Sequence, residues 1–146
     1  MVSGARPPRS ILFLCGMNAI RSPMAEVLAR EVLPAGTFVA SAGVRAGQRA
    51  PFVDAVLAEK GLSLGQRQPQ RLDDLEDAYF DLIVTLAPEA HHAALELTRS
   101  LAVDVEYWPT ADPSTATGTR ERIMDAYRDV RDRLEARIAA RLAARG

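Results

Sequence analysis

The only cysteine in the chain, Cys15, is followed six positions later by Arg21, in the run Cys15-Gly16-Met17-Asn18-Ala19-Ile20-Arg21-Ser22. Those types at that spacing suit chemistry on an oxyanion. A sulfur at the base of a tight loop is a nucleophile if it ionises, and a positive helix end and a guanidinium both stabilise a thiolate. The planar fork of Arg21 matches two phosphate oxygens. Gly16 relaxes the backbone, and Asn18 is a residue type that tolerates a left-handed conformation. Successive amides of such a loop can turn inward and form a concave anion site at a helix N-terminus. The expected reaction is in-line attack by sulfur on phosphorus, giving a phosphocysteine, with the loop amides and Arg21 stabilising charge on the equatorial oxygens. Ser22 is placed to donate to the sulfur and help it leave. The plain structural alternative is a buried Cys that ends a strand, with Arg21 at the surface.

A second group is needed, because an alkoxide or phenoxide departs with a proton and an attacking water must lose one. Asp112, in Asp112-Pro113, is the candidate. Pro113 holds Asp112 extended, and the pair follows the last strand, at the sheet end that also carries Cys15. Asp-Pro is also a common turn initiator, and only the Cys15 loop favours the chemical reading.

The elements that position these residues follow from hydrophobic pattern. Ile11-Leu12-Phe13-Leu14 is an unbroken apolar run that suits a strand buried on both faces. Ser22-Pro23 reads as an N-cap with Pro at the first helical position, opening a helix that stops near Pro34 and Gly36. A second strand covers Thr37 to Ser41 and ends by Gly43. Pro51 to Glu59 reads as a helix, 62–72 as a loop, and Asp73 to Asp77 as a short helical turn. Phe80 to Leu86 is a third strand, Pro88 to Arg99 a helix, and Val103 to Trp108 a fourth strand. A final helix runs from about Thr119 to Ala144, with Ile123, Tyr127, Val130, Leu134, Ile138 and Leu142 on its apolar face. Alternating strands and helices give an α/β class with a parallel sheet, whose ligands sit beyond the carboxyl ends of the strands. Phe13 and Trp108 are expected in the core, His91 and His92 on a surface helix.

The bulk numbers narrow the function. The chain has 146 residues, enough for one domain. Its net charge of −1 supplies no field toward nucleic acid or an anionic membrane. One cysteine rules out an intramolecular disulfide, and with two adjacent histidines it is a poor zinc anchor. No apolar run approaches the roughly 20 residues that span a bilayer. These features lead us to expect a cytoplasmic protein, with residues 1–9 a disordered lead-in and 10–146 the domain. Arg far outnumbers the single Lys60, the usage of a GC-rich bacterial gene.

Taken together, these residues resemble the low-molecular-weight protein tyrosine phosphatases. The resemblance runs from Ile11 to the end of the chain and is densest in Cys15 to Ser22 with Pro23-Met24-Ala25-Glu26, then Ser41-Ala42-Gly43 and Asp112-Pro113. It implies a single-domain, three-layer fold with a four-stranded parallel sheet in the order 2-1-3-4. It implies Cys15 as nucleophile, Arg21 as phosphate ligand and Asp112 as general acid, then base. Asn18, Ser22 and Ser41 would hold the loop. No metal or cofactor is implied, and the partners would be a phosphorylated protein or a small phosphoester, with the chain a monomer or weak dimer. The chain departs from the family pattern at Met17, where a Gly is usual, and at Ile20, where a second Cys is common. It departs again at Ser114-Thr115 in place of a Tyr pair, in the absence of an aromatic from Val44 to Ala50, and in the lack of a His from Gln66 to Arg71. These departures suggest an open mouth that binds aryl phosphates weakly or prefers another phosphoester. Two other readings stand beside hydrolysis. One is a non-catalytic phosphate-binding regulatory module. The other is a thiol-dependent arsenate reductase, which would need external thiols because two further cysteines are absent.

Overall fold

The computed structural model describes residues 8–75 and 79–142. Four strands form one sheet: β1 (Ser10–Cys15), β2 (Phe38–Gly43), β3 (Leu82–Thr85) and β4 (Asp104–Tyr107). Every pairing is parallel and the order is β2-β1-β3-β4, as the resemblance implies. Central β1 is paired on both sides and covered on both faces, so every residue from Ile11 to Cys15 is buried. That environment is what an unbroken apolar run encodes.

Side-chain alternation along β1 divides the core into two layers. Ile11, Phe13 and Cys15 face α1 (Arg21–Val32), α2 (Pro51–Ala58) and α4 (Arg120–Leu142). Leu12 and Leu14 face α3 (Pro88–Leu97) through Ala87, Ala90 and Ala94. The small residues of α3 let it lie close on the sheet. Phe13 and Trp108 meet edge to face at 6.1 Å, in the core as expected.

Several boundaries shift. Helix α1 begins at Arg21 rather than at Pro23, and its N-cap, Ile20, supplies no side-chain cap. Ser22 is therefore not the N-cap that Ser-Pro suggests. It lies inside the first turn because its hydroxyl is drawn to Cys15, Asn18 and Ala42. The expected turn over 73–77 appears as a 3-10 turn at Leu72–Asp74; positions 76 and 77 fall outside the described residues. Of the expected lead-in, residues 1–7 also fall outside. Arg9 does not belong to a loose segment: its N–H donates to Asp81 Oδ2 at 2.8 Å and its carbonyl accepts from Phe38 at 2.9 Å. Helix α4 buries the predicted stripe from Tyr127 to Leu142, and also Arg131, which donates to the Val56 carbonyl and pairs with Glu59.

Candidate active site

The loop from Cys15 to Arg21 joins the central strand to α1, so the sheet fixes its start and the helix its end. Its carbonyls are claimed from outside. Val44 N–H donates to the Cys15 carbonyl (3.1 Å), Arg45 to Gly16 (2.8 Å) and Gly47 to Met17 (2.8 Å). Residues 44–47 thus form a strap that engages three successive loop carbonyls. The amides of Met17 to Ile20 donate to no other described residue. Together with the uncapped first turn of α1, they leave a run of N–H groups without an acceptor at a helix N-terminus. Asn18 has φ +52°, the left-handed position its residue type suggests.

Gly43 is what lets the strap lie against the loop. A Cβ there would meet Arg45 O at 2.3 Å, Asn18 N at 2.6 Å and Met17 C at 2.7 Å, all backbone. In the sequence, this glycine marks the end of a strand and belongs to the Ser41-Ala42-Gly43 stretch of the resemblance, and neither signals the close backbone approach.

Cys15 Sγ lies 2.9 Å from Ser22 Oγ. Asn18 Nδ2 donates to that same hydroxyl at 2.8 Å, and the hydroxyl reaches the Ala42 carbonyl at 3.2 Å. With one acceptor position filled by Asn18, the single hydroxyl proton can go to Ala42 O or to sulfur. A neutral thiol donates to Ser22, and a thiolate receives the Ser22 proton in return. The arrangement accommodates both states without moving a heavy atom.

Asn18 is held in turn by the backbone of Gln70, whose N–H donates to Asn18 Oδ1 at 2.8 Å. Gln70 also reaches the Ser41 carbonyl through Nε2 (2.9 Å) and accepts from Gly43 N (2.9 Å). A loop-supporting role for Gln70 was not read from the sequence. Because its bonds to Asn18 and Gly43 are backbone bonds, no residue type signals it. Ser41 does not touch the loop directly. Its hydroxyl donates to buried Glu26 Oε1 (2.7 Å), and only its carbonyl, through Gln70, links it to Asn18. Glu26 Oε2 pairs with Arg30 at 2.7 Å and Arg67 at 3.2 Å, which anchors the segment leading to Gln70. Burial pushes the Glu26 carboxyl up from its ordinary value, against the opposing pull of the Ser41 hydrogen bond and of the Arg67 and Arg30 charges.

Cys15, Arg21 and Asp112 line one cavity of about 240 Å³, with Met17, Ala19, Ile20, Gly47, Gln48 and Ser114. Cys15 is 2 % exposed, at the cavity floor. Arg21 Nη1 donates to the Thr110 carbonyl at 3.0 Å, which ties the guanidinium to the segment carrying Asp112. Its other donors bond no described residue, so a fork remains for an oxyanion. Asp112 is both a turn initiator and a cavity group: it caps the 3-10 turn Pro113–Thr115, and its Oδ1 accepts from Ser114 N (2.9 Å) and Ser114 Oγ (2.6 Å). Burial alone would raise its carboxyl, but the two Ser114 bonds and the Arg21 charge outweigh that and hold it below the ordinary value. A hollow of about 700 Å³ between Trp108 and α4 is larger, yet neither Cys15 nor any residue of its loop lines it. His91 is not at this site; it stacks on Tyr107 at 4.7 Å and meets Thr85 Oγ1 at 3.0 Å. Among the described residues, no cluster of three or more His, Cys, Asp or Glu could hold a metal ion, and no helix is long and apolar enough to cross a membrane.

Fold and site define a class of small parallel α/β proteins in which the central strand ends on a cysteine and a short loop leads from it into the first helix. The family model described as low molecular weight phosphotyrosine protein phosphatase matches residues 10–144, and the chain belongs to that family of phosphatase-type enzymes. Its relatives carry two kinds of name. An arsenate reductase of Shouchella clausii is 34 % identical over 130 residues, spanning 88 % of this chain and 91 % of the relative. The solved tyrosine phosphatase AmsI of Erwinia amylovora has a TM-score of 0.76 and 26 % identity, with 99 % of each chain covered. An arsenate reductase of Archaeoglobus fulgidus has a TM-score of 0.63 and 28 % identity over 88 % of this chain and 98 % of its own.

Proposed function

We propose that the protein hydrolyses phosphomonoesters through a phosphocysteine, with phosphotyrosyl proteins or small phosphoesters as substrates. The observation that carries this reading is the shared cavity: Cys15 on its floor, unpaired loop amides around it, and Arg21 and Asp112 on its wall. The substrate phosphoryl group sits in the cradle, with equatorial oxygens on the amides and the free Arg21 donors. The Cys15 thiolate attacks phosphorus, forming the S–P bond as the P–O ester bond breaks, and protonated Asp112 gives its proton to the leaving oxygen. Asp112, now a carboxylate, takes a proton from water as the water oxygen attacks phosphorus. The S–P bond breaks, Ser22 donates to the returning thiolate, and inorganic phosphate leaves.

The walls bear on substrate class. Met17 and Ile20 supply the apolar surface, and none of the cavity-lining residues is aromatic. An aryl ring held there lacks the aromatic pairing worth about 0.5–1.5 kcal/mol, so aryl phosphates bind weakly. A second reading, arsenate reduction, is favoured by the names of the 29–34 % identical relatives. Reducing arsenate to arsenite takes two electrons, and with one cysteine in 146 residues both must come from external thiols once arsenate is bound to Cys15. The test compares wild type and Cys15→Ala on p-nitrophenyl phosphate and a phosphotyrosyl peptide, with arsenate-dependent oxidation of added thiols measured in parallel. Hydrolysis that disappears in Cys15→Ala, with no arsenate-dependent thiol oxidation, supports the proposal. Thiol oxidation without hydrolysis transfers the site to the reductase reading. Neither activity leaves a phosphate-binding module.

A further inference from the structure

One residue governs how the Asp112 carboxyl is held. The backbone N–H and the hydroxyl of Ser114 both donate to Oδ1, at 2.9 and 2.6 Å. Oδ2 receives a hydrogen bond from no described residue. Asp112 and Ser114 line the cavity above Cys15 together, so this pairing occurs at the reacting centre. We propose that Ser114 is the positioning residue of the acid/base: it immobilises Oδ1 and leaves Oδ2 as the oxygen that carries the proton. This rests on the hydrolytic reading above.

The chemistry of the two half-reactions explains why such a residue is useful. Oδ2–H must release its proton to the leaving oxygen, then Oδ2 must take one from water; a carboxyl free to rotate would offer either oxygen at varying angles. Two bonds from a residue two positions away lock the rotation through a three-residue turn that Pro113 starts. The other groups acting on Asp112 come from two further elements. Arg21 on α1 favours the carboxylate, whereas Tyr127 on α4 is a neutral phenol, itself raised by burial and by the Asp112 charge. Cys15 on β1 shares the cavity. Of these, only Ser114 hydrogen-bonds the carboxyl.

The test is Ser114→Ala with Ser114→Thr as rescue, read in kcat/KM for phenyl phosphate, whose leaving group needs a proton, and p-nitrophenyl phosphate, whose leaving group does not. Ser114→Ala lowers the first roughly tenfold and the second by less than about twofold, a share of the usual general-acid effect. The alkaline limb of the kcat/KM profile moves to higher pH, because a bond to the ionised form is lost. Ser114→Thr, which keeps the hydroxyl, restores both. An alanine variant with the wild-type leaving-group dependence and alkaline limb overturns the proposal. Asp112→Asn run alongside separates two failures. If Asp112→Asn loses phenyl phosphate hydrolysis while Ser114→Ala does not, only the role of Ser114 falls. If Asp112→Asn is unaffected, the acid/base assignment and the role of Ser114 fall together.

Discussion

Replacing Gly43 by alanine separates the cradle from the rest of the fold. Gly43 is buried at the end of β2, and its φ is not in the left-handed region, so alanine brings no backbone strain of its own. The effect is steric. The added methyl lies 2.3–2.7 Å from three backbone atoms, two of them in the loop over Cys15, where ordinary contact begins near 3.4 Å. Backbone cannot swing aside like a side-chain tip, so the loop and strap must part by roughly an ångström. Overpacking of this kind costs about 1–3 kcal/mol of stability, which leaves a folded protein. A misplacement of about 1 Å costs about 100-fold in rate. The expected result is a loss of about two orders of magnitude in kcat/KM for p-nitrophenyl phosphate, weaker inhibition by inorganic phosphate, and a modest drop in melting temperature. Gly36→Ala is the control, since nothing lies within 4 Å of its added methyl. If Gly43→Ala kept kcat/KM within about twofold of wild type while phosphate inhibition was unchanged, the strap would not shape the anion site.

Other outcomes follow from the support network. Asn18→Ala removes a bond to Ser22, leaves Gln70 N–H without its acceptor and puts alanine at φ +52°; urea unfolding should show a loss of roughly 2 kcal/mol or more, with a fall in kcat. Glu26→Gln changes pH dependence in a defined direction. Burial raises the folded-state value for Glu26, so its contribution to stability is full below the ordinary glutamate range and is lost as pH rises through the folded value. Urea melts of the variant should therefore fall less steeply than those of wild type between acidic and neutral pH. Across the molecule, Glu59 is drawn down to about 2 by hydrogen bonds from Arg128 and Arg131. That pairing stabilises above the ordinary glutamate range and is lost as pH falls toward about 2, so Glu59→Gln should blunt the acid-induced loss of α2–α4 docking, followed by circular dichroism.

The sheet was legible because burial on both faces writes itself as Ile11-Leu12-Phe13-Leu14, and α3 because Pro88 opens a helix whose small residues meet the sheet. That Cys15, Arg21 and Asp112 come together in one cavity was legible because the first two bracket a loop between a buried strand and a helix, and Asp112 follows the last strand at the same sheet end. What stayed hidden was held by backbone. The strap of Val44, Arg45 and Gly47 and the support from Gln70 act through main-chain N–H groups. Ser22 misled because Ser-Pro is a common helix start; here a thiol and an amide compete for the hydroxyl and win. Ser41 was read as a loop support, and the Gln70 side chain and backbone that connect it to Asn18 carried no signal of their own. Buried Glu26 and Arg131 look like surface charges in the sequence because their partners, Arg67 and Glu59, come from distant segments.

The central claim is that an oxyanion seated on the amides of the loop lies directly over Cys15 and receives its sulfur. Rapid acid quench during turnover of p-nitrophenyl phosphate, followed by intact mass and peptide mapping, tests it most directly. The account predicts one phosphoryl group on the peptide containing Cys15 in wild type, accumulating further in Asp112→Asn, and none in Cys15→Ala. Turnover with no adduct at Cys15 in either enzyme, or with the phosphoryl group on His91 or His92, would contradict it.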